Sequence, residues 1–199
     1  TKRVNSFMRN LSQLGCCALA ATALFLTGCQ QMINPQTPVT PSVQADNQFQ
    51  LQGKIGVRTP QQTGSAFFTW VQQQEEFDIE LSGILGVGKT QISGTPGQVT
   101  LNSAKTGVIQ AASAEELLQR ATGWQAPISY LVDWVQARPA TTTAKLQKDD
   151  TQRISQIIEQ GWTVDLNYNA QAKMPNRLIL KQSLENGAEN RITMIIENR

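Results

Sequence analysis

From Gln48 onward, apolar side chains recur at every second position over short stretches. Phe49, Leu51, Ile55 and Val57 alternate with Gln, Lys and Gly, and Phe77, Ile79 and Leu81 alternate with Asp78 and Glu80. Val99 and Leu101 continue the theme, as do Trp162, Val164, Leu166 and Tyr168. Leu178 and Leu180, then Ile192, Met194 and Ile196, flank Asn186-Gly187, which predicts a type I′ hairpin; Gln160-Gly161 marks another tight turn. Strands with one apolar face and short turns predict an antiparallel sheet.

The middle of the chain changes period. Ser113-Ala114-Glu115-Glu116 has the spacing of a capping box, and Leu117, Leu118 and Ala121 follow at helical intervals before Gly123. A second helix is predicted from Pro127 or Ile128 to about Gln136, with Ile128, Leu131, Val132 and Val135 on one side and Pro139 ending it. Two short helices inserted in a strand meander do not build parallel βαβ units. The expectation is a mainly antiparallel β fold, one domain over 48–199, whose sheet curves with the helices across its concave face.

Ahead of that domain the pattern is different again. An apolar run from Leu14 to Leu26 follows a basic segment with Arg9, the layout of a secretory signal and too short for a comfortable membrane span. It closes on Leu26-Thr27-Gly28-Cys29, which resembles the lipobox of bacterial lipoproteins. By that resemblance residues 1–28 are a signal peptide, and Cys29 is acylated and becomes the first residue. Met8-Arg9-Asn10 reads as a start for such a signal. Residues 29–47 carry Pro35, Pro38 and Pro41 among polar neighbours, a composition expected of an extended tether.

Composition narrows the chemistry. Removing 1–28 takes away Lys2, Arg3 and Arg9 but no acidic residue, so the formal charge moves from +2 to about −1. A near-neutral domain does not read as a nucleic-acid binder. Of the 3 cysteines, Cys16 and Cys17 leave with the signal and Cys29 takes lipid, so no disulfide is expected and the domain is expected to be a monomer held by its core. The chain has 0 histidines, which removes Ser-His and Cys-His catalysis and histidine metal sites. Asp78, Glu80 and Asp133 are the carboxylates an enzyme reading would use. Asp78 and Glu80 alternate with apolar residues and so belong to the solvated face; no enzyme activity, metal or cofactor is expected.

Gly83-Ile84-Leu85-Gly86-Val87-Gly88-Lys89-Thr90 matches the Walker A pattern. Nucleotide binding there needs a helix directly afterwards, whose first amides hold the phosphates. Gln91 to Gly97 instead reads as strand and turn, so no nucleotide is expected. Ile84 and Leu85 are unusual side chains for a loop between strands. They either fold back onto the core or protrude toward a membrane.

With these features in hand, the chain resembles the LolB family, outer-membrane lipoproteins that accept lipoproteins from the periplasmic carrier LolA and insert them into the membrane. Three stretches carry the resemblance: Gly64-Ser65-Ala66-Phe67-Phe68-Thr69-Trp70 with the later Gly83-Ile84-Leu85-Gly86 loop; Gly123-Trp124-Gln125-Ala126-Pro127-Ile128 through Leu131, Trp134 and Pro139; and Met174-Pro175-Asn176-Arg177-Leu178-Ile179-Leu180. Two positions depart from it: Ile84 stands where the family has Pro, and Ala137 where it has Gly. The resemblance implies a half-open barrel with a helical lid over an apolar cavity for acyl chains. It implies as cavity residues Phe68, Trp70, Ile79, Leu81, Leu117, Leu118, Leu131, Trp134, Trp162, Val164 and Leu178, each of which would otherwise be ordinary core. Trp124 and Trp134 would alternatively lie at the cavity mouth. Leu85, with Ile84, is the implied membrane contact. The implied partners are a LolA-like carrier, acylated lipoprotein cargo and outer-membrane phospholipid. Gln30 after Cys29 is not the Asp of inner-membrane retention, so the anchor is expected in the outer membrane with the domain facing the periplasm. The competing reading is an envelope-assembly lipoprotein that binds protein partners and no lipid.

Overall fold

Among the described residues, antiparallel pairing runs unbroken across eleven strands in the order β6-β5-β4-β3-β2-β1-β11-β10-β9-β8-β7. The computed structural model describes residues 47–83, 88–123 and 125–199. Cys29, the tether expected over 29–47 except its last residue Asn47, Ile84, Leu85 and Trp124 lie outside them. The strands are β1 (Gln48–Arg58), β2 (Thr63–Gln73), β3 (Glu76–Ser82), β4 (Thr90–Thr95), β5 (Gln98–Ser103), β6 (Gly107–Ala111), β7 (Lys145–Lys148), β8 (Ile154–Glu159), β9 (Trp162–Asn167), β10 (Arg177–Ser183) and β11 (Glu189–Asn198). Between β6 and β7 come α1 (Ala114–Thr122), a 3₁₀ turn (Ile128–Tyr130) and α2 (Leu131–Trp134). The sheet is a half-open barrel with these helices as its lid.

Every neighbouring pair but one is consecutive in sequence. The exception is β1 with β11, which puts the first and last strands at the centre of the sheet. A bulge between Gln52 and Gly53 shifts their register, and a Cβ added to Gly53 would lie 1.9 Å from the Ile195 carbonyl oxygen. Glycine is the residue that permits this approach.

The helical segment forms by capping chemistry. Ser113 accepts from the Glu116 amide at 3.1 Å, Glu116 reaches back to the Ala112 amide at 2.9 Å, and Gly123 closes α1 with φ +73°. The second helix is shorter than the apolar spacing predicts. Ala137 turns left-handed at φ +55°; its N–H bonds the Trp134 carbonyl and the Arg138 N–H bonds the Asp133 carbonyl, both at 3.0 Å. This is a Schellman ending with alanine where glycine is usual, and it stops the helix two residues before Pro139.

Turn chemistry also differs from expectation at one hairpin. Between β10 and β11 only Gly187 has positive φ, and its N–H bonds the Leu184 carbonyl at 2.9 Å. The connection is a turn closed by a left-handed glycine, not type I′, because Asn186 spends its side chain on the Ala188 amide at 3.0 Å. Gln160 and Gly161 both have positive φ, 52° and 78°, so the two-residue I′ loop sits between β8 and β9.

The inner face carries two apolar clusters. The larger joins β1, β2, β8, β9, β10 and β11 to α2 through Leu51, Trp70, Trp134, Ile157, Leu178 and Met194, among others. The smaller joins β5 to α1 through Val99, Leu101 and Leu117. Each fully buried Leu contributes roughly 1.5–3 kcal/mol by leaving water.

Candidate functional site

Between the two clusters the inner face is not filled. A cavity of about 480 Å³ lies there, within the range of about 300–1,000 Å³ usual for small-ligand sites. Ile55 and Val57 of β1, Phe77, Ile79 and Leu81 of β3, Ile92 of β4 and Leu101 of β5 supply the sheet wall; Leu117, Leu118, Ile128 and Leu131 supply the wall formed by the lid. The alternation of these strands puts their apolar side chains inward, and the helices are too short to cover all of them. The polar lining comes from the β1–β2 hairpin, the entry to β4, the β5–β6 hairpin and α1: Gln62, Thr63, Ser65, Lys89, Thr90, Ser103, Lys105, Thr106 and Thr122. Lys89 is paired with Glu80 at 2.5 Å.

Ile79, Leu81, Leu117, Leu118 and Leu131 therefore line the cavity. Phe68, Trp70, Trp134, Trp162, Val164 and Leu178 lie instead in the larger packed cluster and are not on the cavity wall. Trp134 belongs to α2, and the other five lie on β2, β9 and β10 in the same packed cluster. Trp134 has no exposed surface, so it is not at a cavity mouth. Ile55, Val57, Phe77, Ile92, Leu101, Ile128 and Ile192 line the cavity without having been singled out as cavity residues. Their inward orientation was readable from alternation; what stands opposite them was not.

Trp134 Nε1 donates to Glu159 Oε1 at 2.6 Å, the Ala140 amide to the same oxygen at 2.9 Å, and the Thr141 amide and hydroxyl to Oε2 at 2.8 and 2.7 Å. Burial pushes the Glu159 carboxyl up, but the hydrogen bonds from Trp134, Ala140 and Thr141 outweigh it and hold it below the usual carboxylate range. Asp78 accepts from Gln91 at 2.7 Å, Glu80 pairs with Lys89, and Asp133 pairs with Arg138 at 2.8 Å. These carboxylates are engaged in separate pairs and form no shared constellation. Thr90, the last residue of the Walker-like stretch, opens β4, a strand, so the helix N-terminus that would hold phosphates is not built there.

Fold and cavity together define a class: a curved antiparallel sheet closed on one side by short helices over an apolar chamber. The family model for outer membrane lipoprotein LolB matches residues 47–198. An outer-membrane lipoprotein LolB of Stutzerimonas stutzeri is 37% identical over 151 residues, covering 75% of this chain and 72% of its own. Those of Pseudomonas putida (strain W619) and Pseudomonas fluorescens (strain Pf-5) are 38% and 36% identical, each covering 75% of this chain and 73% and 72% of their own. This chain belongs to the LolB family of outer-membrane lipoproteins. A solved chain of MucB in complex with MucA(peri) aligns over 77% of this chain and 90% of its own at 11% identity, with a TM-score of 0.12 too low to carry an argument.

Proposed function

We propose that this protein accepts acylated lipoproteins from a LolA-like periplasmic carrier and inserts them into the inner leaflet of the outer membrane, holding acyl chains in the cavity without ATP. The observation that carries the reading is the unfilled apolar chamber of about 480 Å³ between two packed clusters. An acyl chain moving between two apolar chambers and a bilayer exchanges like for like, at about 0.8 kcal/mol per CH₂ in each place, so small differences in affinity set the direction. Cys29 would anchor the domain as a monomer through the 29–47 tether, after loss of residues 1–28. Leu85, with Ile84, would meet the bilayer.

Transfer of a carrier-bound lipoprotein to the purified domain, and from it to liposomes, tests this. Leu85→Glu is expected to keep folding and acceptance while impairing delivery. A folded wild-type domain that shows no saturable binding of a fluorescent fatty acid, and no uptake of cargo, would remove the lipid-handling role and leave a protein-interaction module.

A further inference from the structure

Glu159 is 5% exposed, and among the described residues its carboxylate is held by hydrogen bonds rather than by an ion pair. Four donors solvate its carboxylate, and all four come from one stretch of chain, Trp134 to Thr141, while Glu159 itself is the last residue of β8. The tight Gln160-Gly161 turn, with Glu159 paired to Trp162, fixes where that carboxylate stands. A buried charge held by dipoles alone persists only where every donor is placed. Further polar ties act on the same end of the lid: Arg199 bonds the Val135 carbonyl at 2.5 Å and Arg138 bonds Asn47 at 2.6 Å. One turn earlier, Leu131 and Ile128 turn to the cavity and meet it through apolar surface.

We infer that Glu159 is a positioning residue of the cavity: it fixes the Trp134 end of the lid, so that Leu131 and Ile128 stay in the cavity wall and govern how long an apolar chain remains inside. This rests on the proposed lipid-handling role for its consequence, though not for its geometry. The lid then moves about a fixed end rather than lifting whole, since separating Trp134 from β8 would strand a buried carboxylate.

The test compares Glu159→Gln and the milder Thr141→Val with Ile157→Val, a fully buried β8 change that touches no donor. Dissociation of a dansyl-labelled fatty acid is followed by stopped flow, and exchange of the Val135 amide, which bonds the Leu131 carbonyl at 3.0 Å, by NMR. Glu159→Gln is expected to speed both by about tenfold, the equivalent of roughly 1.4 kcal/mol, and Thr141→Val by less. Ile157→Val, at equal loss of melting temperature, is expected to change neither more than about twofold, well under 1 kcal/mol. Equal acceleration in Ile157→Val and the Glu159 variant overturns the inference, as does an unchanged Val135 amide. If wild-type protein binds no probe, the lipid-handling reading fails by itself, and the amide exchange still decides the role of Glu159.

Discussion

Arg138 donates to Asn47 Oδ1 at 2.6 Å, joining the end of α2 to the residue that leads into β1. The same guanidinium nitrogen bonds Asp133 at 2.8 Å, and Gln136 adds a second donor to Asn47 at 3.2 Å. The lid is thus tied to the sheet where β1 begins, and the β1–β2 turn that lines the cavity lies at the other end of that strand. Arg138→Ala should cost about 1 kcal/mol, since the Asp133 pair is partly exposed and screened. A urea titration measures it; no shift of midpoint would mean that Asn47 and Asp133 are equally well served by water.

Ala137 occupies a left-handed position that costs an alanine about 1–2 kcal/mol relative to a right-handed one. Ala137→Gly relieves that strain at the price of a freer unfolded chain, and should raise stability by about 0.5–1 kcal/mol. Thermal unfolding of the single variant is enough to check it. A destabilised variant would mean that the methyl group packs better than the strain costs.

Glu159 gives the fold an acid limit. Its carboxyl lies below the ordinary range when folded, so its contribution is fully present above the unfolded value and disappears as pH falls through the folded one. Asp165, lowered chiefly by Lys181 against the opposing effect of burial, acts in the same direction. Denaturation midpoints measured between neutral pH and about 3, just below the ordinary carboxylate range, should fall less steeply for Glu159→Gln than for the wild type. Parallel curves would show that the unfolded chain holds this carboxylate equally well.

Cavity and core should respond differently to change. Leu118→Glu places a charge on the cavity wall and should abolish saturable fatty-acid binding while the circular dichroism spectrum is kept. Leu178→Ala, in the larger cluster and fully buried, should cost about 2–5 kcal/mol and leave the affinity of the remaining folded protein unchanged. The reverse pattern would move the binding site from the β3–α1 side to the centre of the sheet.

How far these features were legible in the sequence follows from what periodicity encodes. Alternation placed Leu51, Ile79, Val164 and Met194 on the inner face, and the Ser113–Glu116 spacing marked the start of α1. Neither says what lies across from a residue, so Trp70 and Trp162 read as cavity candidates although α2 and the strands beside it fill the space around them. Glu159 follows Ile157 and Ile158 and precedes a turn, which looks like a solvated hairpin end. Only the return of 134–141 over it makes it buried. The type I′ loop lies at Gln160-Gly161 and not at Asn186-Gly187, because Asn-Gly suits several turns and the side chain of Asn186 selects a different one. β7 gives no apolar alternation: its four residues are exposed, Leu146 is its one apolar side chain, and Lys145 and Lys148 guard an edge.

The pairing of β1 with β11 bears on how the molecule can come into being. A chain that grows from its N-terminus lays down strands that each find the previous one, yet β1 keeps one side unpaired until the last strand is available. The two half-sheets are joined only through that pairing, a contact between the two ends of the domain's sequence, and contacts of such high sequence separation slow folding. Loss of β11 would not trim an edge. It would divide the sheet in two, leaving the half that carries most of the chamber wall detached from the half that anchors the lid through Glu159.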